Sequence, residues 1–117
     1  MNPQILIIGN NHQSAMYSGL LAGYGYPITE ARSAGEGCAL LANGLRPATV
    51  ILDLKFADLR DIIPALRAVG GARMNIIVIG GDSAADSLAL ERGADKFLHK
   101  PVQAEAMLHA VQMPIAS

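Results

Sequence analysis

Short apolar runs alternate along the chain with stretches of helical spacing. Three runs, residues 4–8, 49–54 and 75–79, are almost continuously apolar and rich in β-branched side chains. Runs of this length, bounded by Gly, Asn or Asp, are typical of strands buried on both faces of a sheet. Residues 27–31 and 96–98 are weaker strand candidates. The pattern therefore predicts five strands.

Stretches with apolar residues at helical spacing separate these strands, at residues 12–23, 34–43, 59–68, 83–92 and 103–111. In the first of them, Met16, Leu20 and Leu21 are expected on one side of the helix. Glycines follow three of the stretches, as C-terminal caps do, and polar residues precede two, as N-caps do. These caps are Gly25, Gly44, Gly93, Ser33 and Asp82. The alternation predicts a (βα)5 α/β domain, a doubly wound five-stranded parallel sheet with right-handed crossovers.

Composition limits the possible functions. The 117 residues are enough for a single domain, residues 1–117, and with 51% apolar and 4% aromatic residues its core must be aliphatic. Nine basic and ten acidic side chains give a net charge of −1, which offers no electrostatic footprint for nucleic acid or anionic membrane. No apolar run approaches the ~20 residues that span a bilayer, and the first residues do not resemble a signal peptide. Cys38 is the single cysteine, so an internal disulfide and paired-cysteine metal sites are excluded. A soluble, cytoplasmic protein is expected.

Candidate chemistry lies at the carboxyl ends of the predicted strands, where open α/β sheets form their sites. The residues at these ends are Gly9, Asn10 and Asn11 after strand one, Asp53 and Lys55 around the end of strand three, Gly80 and Gly81 after strand four, and His99 and Lys100 after strand five. One carboxylate, one or two amides, one lysine with a buried stem and two bare backbone turns are thus expected at one edge of the sheet.

Over essentially its whole length the chain resembles the receiver (CheY-like) family of response regulators. The segment VILDL is similar to the phosphoacceptor strand of that family, and GADKFLHKP is similar to its closing signature. The resemblance implies the flavodoxin-like strand order 2-1-3-4-5, with Asp53 as phosphoacceptor, Lys100 as active-site lysine and Phe97 as switch aromatic.

The function implied by this resemblance is that of a signal receiver in a two-component phosphorelay, and not that of an enzyme. A sensor histidine kinase would transfer a phosphoryl group to Asp53, and a protein-interaction surface would switch in response. Residues 83–92, Phe97 and residues 103–111 would form that surface and would contact an effector domain or a second copy of the chain.

The sequence departs from the family at the metal site and at the turn after strand four, and to a smaller extent in the loop after Asp53, which reads LKFADLRD. The acidic pair that helps to bind Mg²⁺ is replaced by Gly9, which has no ligand, and Asn10, which has a neutral amide oxygen. Asp53 and Asn10 are the remaining candidate ligands, so weak Mg²⁺ binding is expected. Gly80 stands where the family has Thr or Ser, and a phosphate could meet only a backbone N–H of Gly80 or Gly81 there.

Two alternative functions remain open. The departures favour a pseudo-receiver, a protein-interaction or dimerisation module that works without phosphorylation. A small flavodoxin-like enzyme or nucleotide binder has only the fold in its favour, because the chain lacks a G-x-G-x-x-G motif and a Walker lysine.

Overall fold

The computed structural model describes residues 3–9, 12–54, 56–70, 74–80, 93–100 and 102–112. Within these ranges the strands are β1 (Ile5–Ile8), β2 (Ile28–Ala31), β3 (Thr49–Leu52), β4 (Asn75–Gly80) and β5 (Lys96–His99). The helices of the same ranges are α1 (His12–Gly23), α2 (Ala34–Ala42), α3 (Phe56–Gly70) and α4 (Ala104–Gln112). The helix predicted at residues 83–92 and its N-cap Asp82 lie outside the described residues. No helix in the described part of the chain is long and apolar enough to span a membrane.

The five strands form one parallel sheet in the order β2-β1-β3-β4-β5. The predicted α/β class and the 2-1-3-4-5 strand order are therefore confirmed. Ile8 pairs with Leu52, so Gly9 and Asp53 leave their strands side by side. This register places the ends of β1 and β3 together at one edge of the sheet.

Side chains of the three central strands alternate between two core clusters, one on each face of the sheet. One cluster includes Leu6, Ile8, Val50, Leu52, Ile76 and Val78, with residues of α2 and α3. The other includes Ile5, Ile7, Ile51, Ile77 and Ile79, with residues of α1 and α4. Every residue of β1 and β3 is buried, which confirms that these apolar runs are strands covered on both faces.

The predicted caps agree with the structure where it describes them. Ser33 Oγ accepts a hydrogen bond from the Glu36 N–H at 3.1 Å, as an N-cap does. Gly25, Gly44 and Gly93 have φ angles of 92°, 110° and 111°, which favour glycine over residues with a Cβ. These capping residues mark where helices begin and end. They explain why most helix and strand bounds predicted from the sequence lie within one or two residues of the observed ones.

Helix α3 differs most from its predicted bounds. It begins at Phe56 rather than at residue 59, and it continues past Pro64 to Gly70. Pro64 is exposed, and a proline inside a helix removes one intrahelical N–H donor. The buried side chains of this helix are Ile62, Ile63 and Leu66, which hold it against the sheet.

Two polar networks fix the edge of the sheet opposite the site. The Arg67 guanidinium on α3 donates to the carbonyls of Met74 and Gly93 and to the Asp95 carboxylate. Asn75 Nδ2 and Lys96 Nζ both donate to the Ala110 carbonyl near the end of α4, at 3.2 and 2.7 Å. Burial lowers the pKa of the Lys96 amino group, and the charge of Asp95 opposes this in part. These contacts hold α3 and α4 to the amino ends of β4 and β5.

Cys38 lies on α2 and packs against the core cluster on that side of the sheet while remaining partly exposed. Burial raises the pKa of its thiol. The expected role as a small packing residue fits this position, because a thiol with a raised pKa is a poor nucleophile at neutral pH.

Candidate functional site

Asp53 lies directly after β3 and is buried, with 4% of its surface exposed. Its backbone N–H donates to the Ile8 carbonyl at 2.9 Å, which extends the β1–β3 pairing by one residue. The carboxylate therefore stands at the carboxyl edge of the sheet on a rigid strand end. A buried carboxylate needs partners, and two side chains supply them.

The first partner is Lys100, which follows β5. Its Nζ lies 2.9 Å from Asp53 Oδ1, and its side chain is 30% exposed where that of Asp53 is 3% exposed. The Lys100 N–H donates to the Gly80 carbonyl at 2.9 Å, which ties the end of β5 to the end of β4. The structure thus brings together the predicted carboxylate and the predicted lysine.

The second partner, Ser14, was not predicted. Its hydroxyl, on the first turn of α1, lies 3.2 Å from Asp53 Oδ2, and the residue is 3% exposed. Both oxygens of the carboxylate are therefore engaged, one by a cation and one by a hydroxyl. The spacing of Ser14, Tyr17 and Leu21 puts them on one helix face, but nothing in that spacing points to Asp53. Met16 is 69% exposed and Leu21 is fully buried, so the side shared by Met16, Leu20 and Leu21 is not buried along its whole length.

Gly9 makes room for the Ser14 hydroxyl. A Cβ at position 9 would lie 2.3 Å from Ser14 Oγ, 3.0 Å from the Asp53 carbonyl oxygen and 3.2 Å from Asp53 Cβ. No side chain fits there while Ser14 contacts Asp53. The lack of a side chain at Gly9 therefore does more than remove a metal ligand. The packing of the site leaves room at this position for a hydrogen atom but not for a Cβ.

Tyr17, one turn further along α1, is buried, and the charge of the same carboxylate affects the pKa of its phenol. Burial raises the pKa of its phenol, and the negative charge of Asp53 raises it further. Tyr17 was also absent from the predicted site. Asp53 therefore acts on α1 through its hydrogen bond with Ser14 and through its effect on the pKa of the Tyr17 phenol.

On the other side of the site, Phe97 packs against Gly80. A Cβ at position 80 would lie 3.1 Å from Phe97 Cζ, so the ring occupies the space beside the end of β4. The ring also contacts His99 edge to face, with centroids 4.8 Å apart. The position predicted to lack a hydroxyl is therefore covered by the aromatic side chain itself.

The described residues offer little for a metal. Among them, no group of three or more His, Cys, Asp and Glu side chains could hold an ion. Asp53 supplies one carboxylate, and Lys100 and Ser14 already contact it. Asn10 and Gly81, the other predicted contributors to the metal and phosphate sites, lie outside the described residues. The described part of the site thus fits Mg²⁺ only partly, through a single carboxylate.

Comparison with solved structures gives several close matches in fold. A response regulator receiver protein from Pseudomonas putida is 27% identical, with a TM-score of 0.82 over 95% of this chain and 96% of that one. The receiver domain of a sensor histidine kinase from Pseudomonas aeruginosa, solved with a magnesium ion in its active-site cleft, is 19% identical. Its TM-score is 0.84, with 96% of each chain covered.

A CheY-like receiver domain protein from Methanospirillum hungatei is 23% identical, with a TM-score of 0.78 over 96% of this chain and 92% of that one. No family model matches the sequence, and no curated protein matches it. The similarity is therefore visible in the fold far more than in the sequence. Over nearly its whole length, the chain has the fold of the CheY-like receiver domains of response regulators.

Proposed function

We propose that residues 1–117 form a signal receiver domain of a two-component phosphorelay, in which Asp53 accepts a phosphoryl group from a sensor histidine kinase. The similarity to receiver domains supports the broader role in two-component signalling. The observation that carries the finer proposal is the Asp53–Lys100 pair, 2.9 Å apart at the carboxyl edge of the sheet. A fixed carboxylate beside a partly exposed cation is what transfer of a charged group to an aspartate needs.

In the proposed step a carboxylate oxygen of Asp53 attacks the phosphorus of a phosphohistidine. The O–P bond forms as the N–P bond breaks, and the electron pair stays on the imidazole nitrogen, which takes up a proton. Lys100 balances negative charge on the transferred oxygens, and little else is asked of the protein besides positioning. Water would later attack the phosphorus, releasing inorganic phosphate and restoring the carboxylate. The domain is in this view a signalling module and not an enzyme.

Mg²⁺ would bind weakly at this site. Asp53 would supply the carboxylate ligand and Asn10 the amide oxygen, with water completing the shell. When bound, the ion would neutralise charge on the phosphoryl oxygens. The magnesium in the cleft of the P. aeruginosa receiver domain supports this location, and the single described carboxylate supports a low affinity.

A phosphorylation-independent pseudo-receiver is the second candidate. It is favoured by the contact of Asp53 Oδ2 with the buried Ser14 hydroxyl, and by Gly9, Asn10 and Gly80 at positions where the family has acidic and hydroxyl side chains. Such a domain would act through partner binding alone. In either case the proposed partner surface comprises residues 83–92, Phe97 and residues 103–111, facing an effector domain or a second copy. Neither nucleic acid nor membrane is a proposed partner, and a cytoplasmic location is proposed with the kinase.

Intact mass after incubation with acetyl phosphate and Mg²⁺ separates the two candidates. One phosphoryl adduct is expected on the wild type, none on Asp53→Ala, and one on the control Asp61→Asn, which changes an exposed aspartate of α3. Circular dichroism of each variant checks the fold. A folded wild type without an adduct would contradict the phosphorelay role and favour the pseudo-receiver.

A further inference from the structure

Helix α1 contacts the Asp53 carboxylate through its first turn. Ser14 Oγ and Asp53 Oδ2 lie 3.2 Å apart, and the two residues are 3% and 4% exposed. A hydrogen bond to a charged acceptor is stronger than one between neutral groups, and more so where water is excluded. A change in the charge or covalent state of Asp53 therefore alters a contact made by α1.

The inward face of α1 joins this contact to the core. Ser14, Tyr17 and Leu21 follow each other at intervals of three and four residues, so they share one face of the helix. Tyr17 is buried near enough to Asp53 for the negative charge to raise the pKa of its phenol, although burial is the larger cause. Leu21 is fully buried in the core cluster of that side. Ser14 thus contacts Asp53 directly, and Leu21 on the same helix face anchors α1 in the core.

On the opposite side of the site, the described residues of β4 make no comparable polar contact with Asp53. Gly80 has no side chain, and the Phe97 ring lies where a Cβ at position 80 would approach it to 3.1 Å. The Phe97 ring is packed against β4. Because Gly80 has no hydroxyl, β4 offers no polar side chain whose movement could carry a change at Asp53 to that ring. Lys100 does contact Asp53, but its side chain is 30% exposed and long enough to reorient without moving β5.

We infer that α1 reports the state of Asp53 and that the Ser14 hydroxyl is the contact through which it does so. This inference rests on the proposed function, since phosphorylation of Asp53 is the change to be reported. Esterification turns the carboxylate into an acyl phosphate, and the Ser14 hydroxyl must then follow a phosphoryl oxygen or lose a charged acceptor. Ser14 is a positioning residue, because it orients Asp53 and takes no part in bond making.

Asp53→Asn tests the inference without phosphorylation, because it removes the charge and keeps the shape. Amide hydrogen exchange is measured for α1 and for α4, which packs on the same face of the sheet. The substitution is expected to speed exchange of the α1 amides about tenfold relative to those of α4, the effect of weakening one charge-assisted hydrogen bond. In a Ser14→Ala background the same substitution is expected to change α1 exchange less than about twofold, because the contact is already absent.

Three further variants separate a specific contact from a loss of structure. Ser18→Ala, one turn along the same helix, is the matched control, and in that background Asp53→Asn should act as in the wild type. Ser14→Cys, close in size but only a weak donor, should behave like Ser14→Ala. Ser14→Thr, which keeps the hydroxyl, should restore the response.

The outcomes of the hydrogen-exchange experiment can be told apart from those of the mass experiment that tests the proposed function. If Asp53→Asn leaves α1 exchange unchanged, or changes it equally with and without Ser14, the inference is overturned. A missing phosphoryl adduct in the mass experiment contradicts the phosphorelay role alone, because the charge response of α1 is still measured. An adduct without an α1 response contradicts the inference alone.

Discussion

Lys100 and Asp53 form an ion pair whose members are buried to very different degrees. Their charged atoms lie 2.9 Å apart, yet the carboxylate side chain is 3% exposed and the lysine side chain is 30% exposed. Removing the lysine leaves a charge inside the protein, whereas removing the carboxylate leaves an amino group that can turn to water. The two deletions should therefore have unequal effects.

We expect Lys100→Ala to lower the free energy of unfolding by about 2–3 kcal/mol, because Asp53 keeps its charge in a buried place without its cation. Asp53→Ala should cost less than Lys100→Ala, because it leaves no buried charge and removes only the hydrogen bond from Ser14 and the contact with a lysine that can turn to water. Urea denaturation at neutral pH measures both. In the double variant, the cost of losing Lys100 should largely disappear, because no buried charge remains to be stranded. Equal costs for the two single variants would contradict this account of the pair.

Gly9 should resist substitution for reasons of packing. In Gly9→Ala the new Cβ would stand 2.3 Å from Ser14 Oγ and 3.0 Å from the Asp53 carbonyl oxygen. We expect a loss of about 2 kcal/mol in the free energy of unfolding, with a smaller loss in a Ser14→Gly background, where the nearest contact is gone. Gly19→Ala on α1 is the control, because a Cβ there meets nothing within 4 Å. It should be neutral or stabilising by about 0.5–1 kcal/mol. A stable Gly9→Ala would mean that Ser14 is not held against Asp53.

The fold could be predicted from the sequence because the central strands carry continuous apolar runs. Ile5–Ile8, Thr49–Leu52 and Asn75–Gly80 are buried on both faces, and no polar residue interrupts their apolar stretches. The position of Asp53 and Lys100 at one edge followed from parallel strands ending together. Their 2.9 Å contact did not, since side-chain direction after a strand end depends on three-dimensional packing.

The α1 side of the site could not be predicted in the same way. Helix α1 is rich in small residues, so no apolar ridge distinguishes its buried face, and the apolar Met16 is 69% exposed. Ser14 and Gly9 acquire their roles from each other and from Asp53, which is distant in sequence. Such a three-way contact has no signature in periodicity or in a motif.

Phe97 should be displaced by a side chain at position 80. A Cβ there would lie 3.1 Å from Phe97 Cζ, which is tighter than ordinary van der Waals contact. We expect Gly80→Thr to lower the free energy of unfolding by about 1–2 kcal/mol and to move the ring away from His99. Denaturation and the nuclear Overhauser contacts between the two rings would measure these effects. In a Phe97→Leu background the cost should fall, because the smaller side chain can yield. An unchanged ring contact in Gly80→Thr would refute the steric relationship.

Substitution of Arg67, at the edge of the sheet opposite the site, should strongly lower the free energy of unfolding. Its guanidinium donates to the Gly93 and Met74 carbonyls and to Asp95 Oδ2, which also accepts from the Ile76 N–H. Arg67→Ala should cost about 2–3 kcal/mol, and Arg67→Lys should recover only part of this, because a lysine cannot reproduce the planar fork. Arg46→Ala, which removes donors to two carbonyls near the end of α2, is the control and should cost less than about 1 kcal/mol. Chemical denaturation of the wild type and of the three variants measures their free energies of unfolding and tests this order of costs.

Tyr17 should make the protein less stable at alkaline pH. Burial, followed by the charge of Asp53, raises the pKa of its phenol in the folded state above the ordinary value of 10.0. Above about pH 10 the unfolded chain loses this proton more readily than the folded one, so stability falls as the pH rises toward the folded pKa. Tyr17→Phe should therefore show a shallower loss of stability between about pH 9 and about pH 11 than the wild type.

Tyr24→Phe is the matched control for this measurement, because Tyr24 is 58% exposed, and its alkaline loss of stability should follow that of the wild type. Asp53→Asn should lower the Tyr17 pKa without returning it to the ordinary value, since the charge is removed and the burial remains. Ultraviolet titration of the tyrosinate band, with Tyr24→Phe and Tyr17→Phe to assign the signal, measures that shift. A Tyr17 titration unchanged by Asp53→Asn would mean that the charge of the carboxylate does not act on the Tyr17 phenol, and that α1 is connected to Asp53 through Ser14 alone.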